Sequence, residues 1–173
     1  MANVKSILEN TTNAALLVVC TLLAWLFLTH QDLWLHGKQG SAPEAQALLG
    51  KTLPPLPDHD WKRQNRTLVM AIREGCSFCE VSMPFYKRLS DLRKADRIGA
   101  RLLAVMPDPE AAASAQLQAK GVDVEGAFHQ PLQSLYVSAT PTLLLVNGEG
   151  KVVRAWVGQL TPQQESEVVS AIH

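Results

Sequence analysis

The sequence predicts an α/β fold, a mixed central sheet with helices on both faces, preceded by one N-terminal transmembrane helix. Three observations predict it. Apolar runs suited to buried strands alternate with helical segments from about residue 50 onward. Asn147-Gly-Glu-Gly150 joins two such runs with the signature of a hairpin. No charged residue occurs between Asn10 and Gln31.

The apolar centre of that uncharged stretch runs from Ala14 to Leu28. With its flanks it gives roughly 20 residues, about 30 Å as a helix, the thickness of a hydrocarbon layer. Apolar residues cover every face, which excludes an amphipathic surface helix. Trp25 and Trp34 suit the downstream interface. A cleaved signal peptide is the weaker alternative: Lys5 is offset by Glu9, and Thr29-His30-Gln31 is a poor cleavage site. The expected organisation is a tail over 1–10, an anchor over 11–29, a linker over 30–49 and a folded domain over 50–173. Lys5 on one side faces Lys38 and Lys51 on the other, so charge does not fix the orientation. The short tail favours an N-terminus kept inside and a domain carried across.

Within the linker a short helix is expected over 43–49, with Pro43 in its first turn. Leu53-Pro-Pro-Leu-Pro-Asp58 is a stiffened, extended lead-in. Thr67–Ile72 and Ile98–Met106 read as strands buried on both faces. Ser77 to about Lys94 reads as a helix interrupted by Pro84, and Asp108-Pro-Glu110 opens another that Gly121 closes. Thr142–Val146 and Lys151–Val157 are the hairpin strands. Thr161-Pro-Gln-Gln-Glu165 starts a last helix that ends near Ile172. The order is β-α-β-α-β-β-α.

Of the 173 residues, 47% are apolar, enough for a core. Lys and Arg balance Asp and Glu at 16 each, with no basic cluster, which argues against a nucleic-acid partner. Three cysteines are too few, and odd in number, for a disulfide framework. Cys20 lies in the apolar run and reads as a small filler. Cys76 and Cys79 form a C-x-x-C pair.

That pair follows a buried strand and opens a helix. Cys76 falls near the helix N-cap, where free N–H groups and the dipole favour a thiolate. Cys79 is one turn on, on the same face. One sulfur can therefore attack while the other resolves the mixed disulfide. Half of a zinc site is the competing reading, but zinc needs four ligands and His59, His129 and His173 stand singly.

Gly75-Cys-Ser-Phe-Cys79, with Pro84 five residues beyond, and Ala139-Thr-Pro-Thr142 ahead of a strand resemble landmarks of the thioredoxin superfamily. The resemblance spans residues 50–173. With the anchor and the Pro-rich lead-in it is most similar to the membrane-bound TlpA/ResA-like group. It implies Cys76 and Cys79 as catalytic residues, and Thr140 and a cis Pro141 as the client-binding loop. It further implies a redox-active Cys76–Cys79 disulfide with no other cofactor and no metal. The implied partners are protein thiol or disulfide clients and a separate redox partner. The implied place is a bacterial inner membrane, with the C-terminal domain in the periplasm.

The sequence departs from the family at several positions. Gly75 stands where thioredoxins have Trp, and Met70 where they have a buried carboxylate. Ser82 stands where ResA-like proteins have Glu. Arg73 and Lys87 are candidates for favouring a thiolate; Glu74 and Glu80 read as solvated. Two other functions are weighed. A thiol peroxidase would want Thr or Ser three residues before the reactive cysteine, where Arg73 stands. A redox-sensing scaffold without turnover would not require an intact C-x-x-C.

Overall fold

The structure, a computed structural model, describes residues 16–25, 42–63 and 65–173. Five strands form one sheet: β1 (Arg66–Ala71), β2 (Arg101–Met106), β3 (Gly126–His129), β4 (Thr142–Asn147) and β5 (Val152–Val157). Their order is β3-β2-β1-β4-β5. The sheet is mixed as expected: β1–β2 and β2–β3 are parallel, β1–β4 and β4–β5 antiparallel. Central β1 sets Val69 between Leu103 and Leu144. Thr67 to Ala71 are all buried, which is why that segment is a continuous apolar run rather than an alternating one.

Four helices surround the sheet: α1 (Ala42–Leu48), α2 (Ser77–Lys94), α3 (Glu110–Ala119) and α4 (Pro162–Ile172). Successive β1 side chains point to opposite faces. Leu68 and Met70 pack with Tyr86 and Leu89 of α2, Leu117 of α3 and Val168 of α4. Val69 and Ala71 meet Leu48 of α1, Trp61 and Leu135 on the other face. Helices α2 and α3 share a face because each links a pair of parallel strands stepping in the same direction along the sheet, and such crossovers keep one hand.

Several elements match in detail. The last helix has a full capping box: Thr161 Oγ1 accepts Gln164 N–H at 3.2 Å, and Gln164 Oε1 accepts Thr161 N–H at 2.9 Å. In the hairpin, Asn147 Oδ1 accepts the N–H groups of Glu149 and Lys151, each at 3.0 Å. The lead-in pairs beside the start of β5, through Leu53 N–H to Gly150 O at 2.8 Å and Val152 N–H to Lys51 O at 2.9 Å.

Other details differ. Helix α2 runs through Pro84 instead of breaking there. Strand β2 begins at Arg101, not Ile98, because the N–H groups of Gly99 and Ala100 bond the Ile172 carbonyl at the end of α4. Strand β3 and a 3₁₀ turn over Leu132–Leu135 were not expected. Helix α1 buries Leu48, so the packed core reaches slightly ahead of residue 50.

Of the anchor expected over 11–29, residues 16–25 are described; they are helical, with every side chain exposed, Cys20 included. The rest of that span, the tail over 1–10 and most of the linker lie outside the described residues. Among the described residues no helix is long and apolar enough to cross a membrane. Backbone contacts divide the chain into two units, 1–37 and 38–173.

Candidate active site

The site is built where β1 ends and α2 begins. Cys76 is the N-cap of α2, with extended backbone (φ −86°, ψ 108°). Its Sγ accepts the N–H of Cys79 at 3.2 Å, the place usually taken by a Ser or Asp oxygen. Gly75 has φ +67°, in the left-handed region. A Cβ there would meet nothing within 4 Å, so the requirement for glycine is one of backbone conformation rather than space. This accounts for the missing Trp.

The chain leading into Cys76 is tied to the next loop. Asp108, just past β2, accepts the N–H of Glu74 at 2.9 Å on Oδ2. The Asp108 carbonyl lies 2.8 Å from His129 Nδ1 at the end of β3. Parallel pairing places the C-terminal ends of β1, β2 and β3 at one edge, where their loops meet.

Cys79 is fully buried and Cys76 is 6% exposed; both are free thiols. The Thr140-Pro141 peptide is cis. It delivers Thr140 against the first sulfur: Thr140 Oγ1 donates to Cys76 Sγ at 3.4 Å, and the Cys76 S–H donates to Thr140 O at 3.5 Å. Cys76, Cys79 and Thr140 are therefore in one place, with Pro141 next in the chain.

The two thiols differ in acidity. Burial raises Cys76, but hydrogen bonds from Cys79 and Thr140 and the charge of Arg73 outweigh it, holding the thiol below its ordinary value. Cys79 is pushed up to about 12, by burial first and then by its bond to Cys76. Cys76 is the thiolate-forming sulfur and Cys79 the proton-holding one.

Arg73 thus acts on the site as its position suggested. Lys87 does not: its Nζ bonds Asp91 at 2.6 Å. Glu80 is also committed elsewhere, to Lys120 at 2.6 Å and Gln116 at 3.2 Å. Met70, in place of a buried carboxylate, is fully buried in the same cluster as both cysteines. Ser82 turns inward to bond the Phe78 carbonyl at 2.8 Å. Beside it sits Tyr86, 2% exposed, whose phenol burial holds far above its usual range, so it stays protonated. The Thr140 hydroxyl, Asp108 and Tyr86 were not anticipated. Among the described residues no group of three or more His, Cys, Asp or Glu is placed to hold a metal ion.

Residues 61–172 match the family model described as a thioredoxin-like domain. The chain belongs to that family. The thioredoxin-like domain is similar in fold to several solved structures. One is a thiol:disulfide interchange protein from Bacteroides sp., at 20% identity and TM-score 0.55, covering 72% of this chain and 90% of that one. Another is the thioredoxin domain of a thiol-disulfide oxidoreductase from Bacteroides vulgatus, at 20% identity and TM-score 0.53, covering 72% and 98%. A third is StoA from Bacillus subtilis, at 16% identity and TM-score 0.50, covering 69% and 92%. No curated protein sequence matches the chain. In the thioredoxin-like domain the dithiol lies at the strand–helix junction, with one sulfur near the surface and the other beneath it. That arrangement suits nucleophilic attack by Cys76 followed by internal displacement by Cys79.

Proposed function

We propose that this chain is a membrane-anchored thiol–disulfide oxidoreductase that reduces or exchanges disulfides of partner proteins. The observation that carries the reading is the contact between Cys76 Sγ and Thr140. A helix-capping, acidified sulfur lies against a loop whose Thr140 N–H makes no hydrogen bond among the described residues. An extended client can pair with that loop as an added strand.

The Cys76 thiolate attacks one sulfur of a client disulfide. A Cys76–client disulfide forms, and the second client sulfur leaves as a thiolate that takes up a proton. Cys79 then gives up its proton and attacks Cys76 Sγ. The Cys76–Cys79 bond forms, and the client sulfur departs as a thiol. Two electrons pass from the pair to the client, with one proton from Cys79 and one from solvent, which had received the Cys76 proton on ionisation; a separate redox partner restores the dithiol. The high proton affinity of Cys79 keeps it silent until Cys76 is engaged.

The anchor over residues 11–29 rests on the uncharged run and on the exposed apolar side chains of residues 16–25. In this reading the anchor holds the dithiol domain at the bacterial inner membrane, on its periplasmic side. Alkaline phosphatase fused after His173 is expected to be active; an inactive fusion alongside an active cytoplasmic reporter overturns the placement.

The full chain in detergent, supplied with a dithiol reductant, is expected to catalyse insulin reduction, and Cys76→Ala to abolish it. Peroxide consumption without insulin reduction would replace this reading with a thiol peroxidase. Client binding without turnover would leave a scaffold.

A further inference from the structure

Beside the dithiol lies a cleft of about 520 Å³, lined by residues that include Arg73, Pro107, Leu132, Val137, Ser138 and Thr140. Thr140 belongs both to this cleft and to the contact with Cys76, so the cleft opens next to the attacking sulfur. Leu132 and Val137 are buried and form an apolar wall. Arg73 is the one charged side chain lining the cleft among the described residues. It is exposed and makes no ion pair among them. No acid lines the cleft with it among the described residues. Asp108 directs its carboxylate to the Glu74 N–H, Glu80 holds Lys120, and the exposed Glu74 does not line the cleft.

We infer that Arg73 selects client segments that carry a carboxylate side chain close to the disulfide under attack. The inference rests on the exchange reaction proposed above and deepens it by naming the substrate class. A strand paired with the Thr140 backbone sends alternate side chains into the cleft and away from it. Those flanking the client cysteine pass the guanidinium, whose planar donors match a carboxylate in two-point geometry. A basic side chain at the same place meets an unpaired positive charge. One exposed charge pair changes a rate or affinity up to about fivefold. Replacing attraction by repulsion widens the contrast to about tenfold.

The test uses the reduced full chain in detergent and two disulfide-bridged peptides, identical except for Asp or Lys on both sides of each cysteine. The second-order rate of reduction is measured for each and divided by that peptide's rate with a small-molecule dithiol. The expected ratio favours the Asp peptide by about tenfold and shrinks in 0.5 M salt. In Arg73→Gln it falls to near one, and in Arg73→Glu it inverts. Any general loss of Cys76 reactivity in these variants slows both peptides alike and leaves the ratio untouched. A ratio near one in the parent chain, or one unchanged in Arg73→Gln, overturns the inference while the exchange reaction stands. If neither peptide is reduced, the exchange reading falls and this inference with it. Should the variants not fold, a parent-chain ratio that does not shrink in salt overturns the inference.

Discussion

The hydroxyl of Thr140 donates to the sulfur of Cys76 across 3.4 Å, joining residues 64 positions apart in the chain. The bond strengthens as the thiol becomes a thiolate, so it favours the ionised form. Cys76 lies below the ordinary thiol value, so it is largely protonated below that depressed midpoint and ionised above it. Thr140→Val removes the donor and keeps the shape. The midpoint pH for iodoacetamide alkylation of Cys76 is expected to shift upward, and the rate at neutral pH to fall by roughly two- to fivefold. An unchanged pH profile would show that the hydroxyl does not act on the sulfur.

Cys79 behaves in the opposite sense. Its proton affinity is raised in the fold, to about 12 from a thiol value of 9.0. The folded state therefore holds a proton that the unfolded chain releases above about pH 9. The contribution to stability is present below pH 9 and is lost as the pH climbs towards 12. Urea unfolding of the reduced protein is expected to show this alkaline loss, and Cys79→Ala to lack the part that begins near pH 9.0, keeping the part that buried Tyr86 adds above its ordinary value of 10.0.

Gly75 is expected to resist replacement by the family's Trp. A side chain at φ +67° costs about 1–2 kcal/mol. Gly75→Ala should lower the unfolding free energy by that amount, read from the fall in the urea midpoint, since a Cβ there meets nothing within 4 Å; Gly75→Trp should lose at least as much. Equal stability in either variant would mean that the loop readjusts.

Asp108 holds the approach to Cys76 through one bond to a backbone N–H. Asp108→Ala is expected to cost about 1 kcal/mol and to slow client reduction, while Asp108→Asn, which keeps an acceptor oxygen, restores most of both. Insulin turnover measured beside the thermal midpoint checks this. Failure of Asn to do better than Ala removes the bond from the account.

Much of this fold was legible in the sequence because the central strands are covered on both faces. Thr67–Ile72 and Thr142–Val146 had to be continuous apolar runs. The Thr161 cap and the Asn147 turn declare themselves through local hydrogen bonds that need no distant partner. Strand β3 was hidden for the converse reason. It is a four-residue edge strand with one neighbour, partly exposed, and it contains Gly126 and His129, so no apolar run marks it. The dithiol was legible as a motif followed by a helix. What surrounds it was not, because Thr140, Asp108 and Tyr86 reach the site through sheet order or through a buried helix face. Asp108 had a usable signal: it follows a strand that one helix connects back to β1, a link suited to parallel neighbours, and such loops gather at one edge.

The central claim is that Cys76 attacks and Cys79 resolves. Capture of clients by the Cys79→Ala full chain tests it most directly. With no resolving sulfur, the Cys76–client disulfide should persist. Non-reducing gels and mass spectrometry of the purified variant should then show client peptides joined to Cys76, released by dithiothreitol. Cys76→Ala should capture none at the site, because the remaining site thiol, Cys79, is fully buried and protonated at neutral pH; the peptide map separates any adduct formed at the exposed Cys20. Capture through Cys79 in Cys76→Ala, with none in Cys79→Ala, would reverse the assignment and contradict the account.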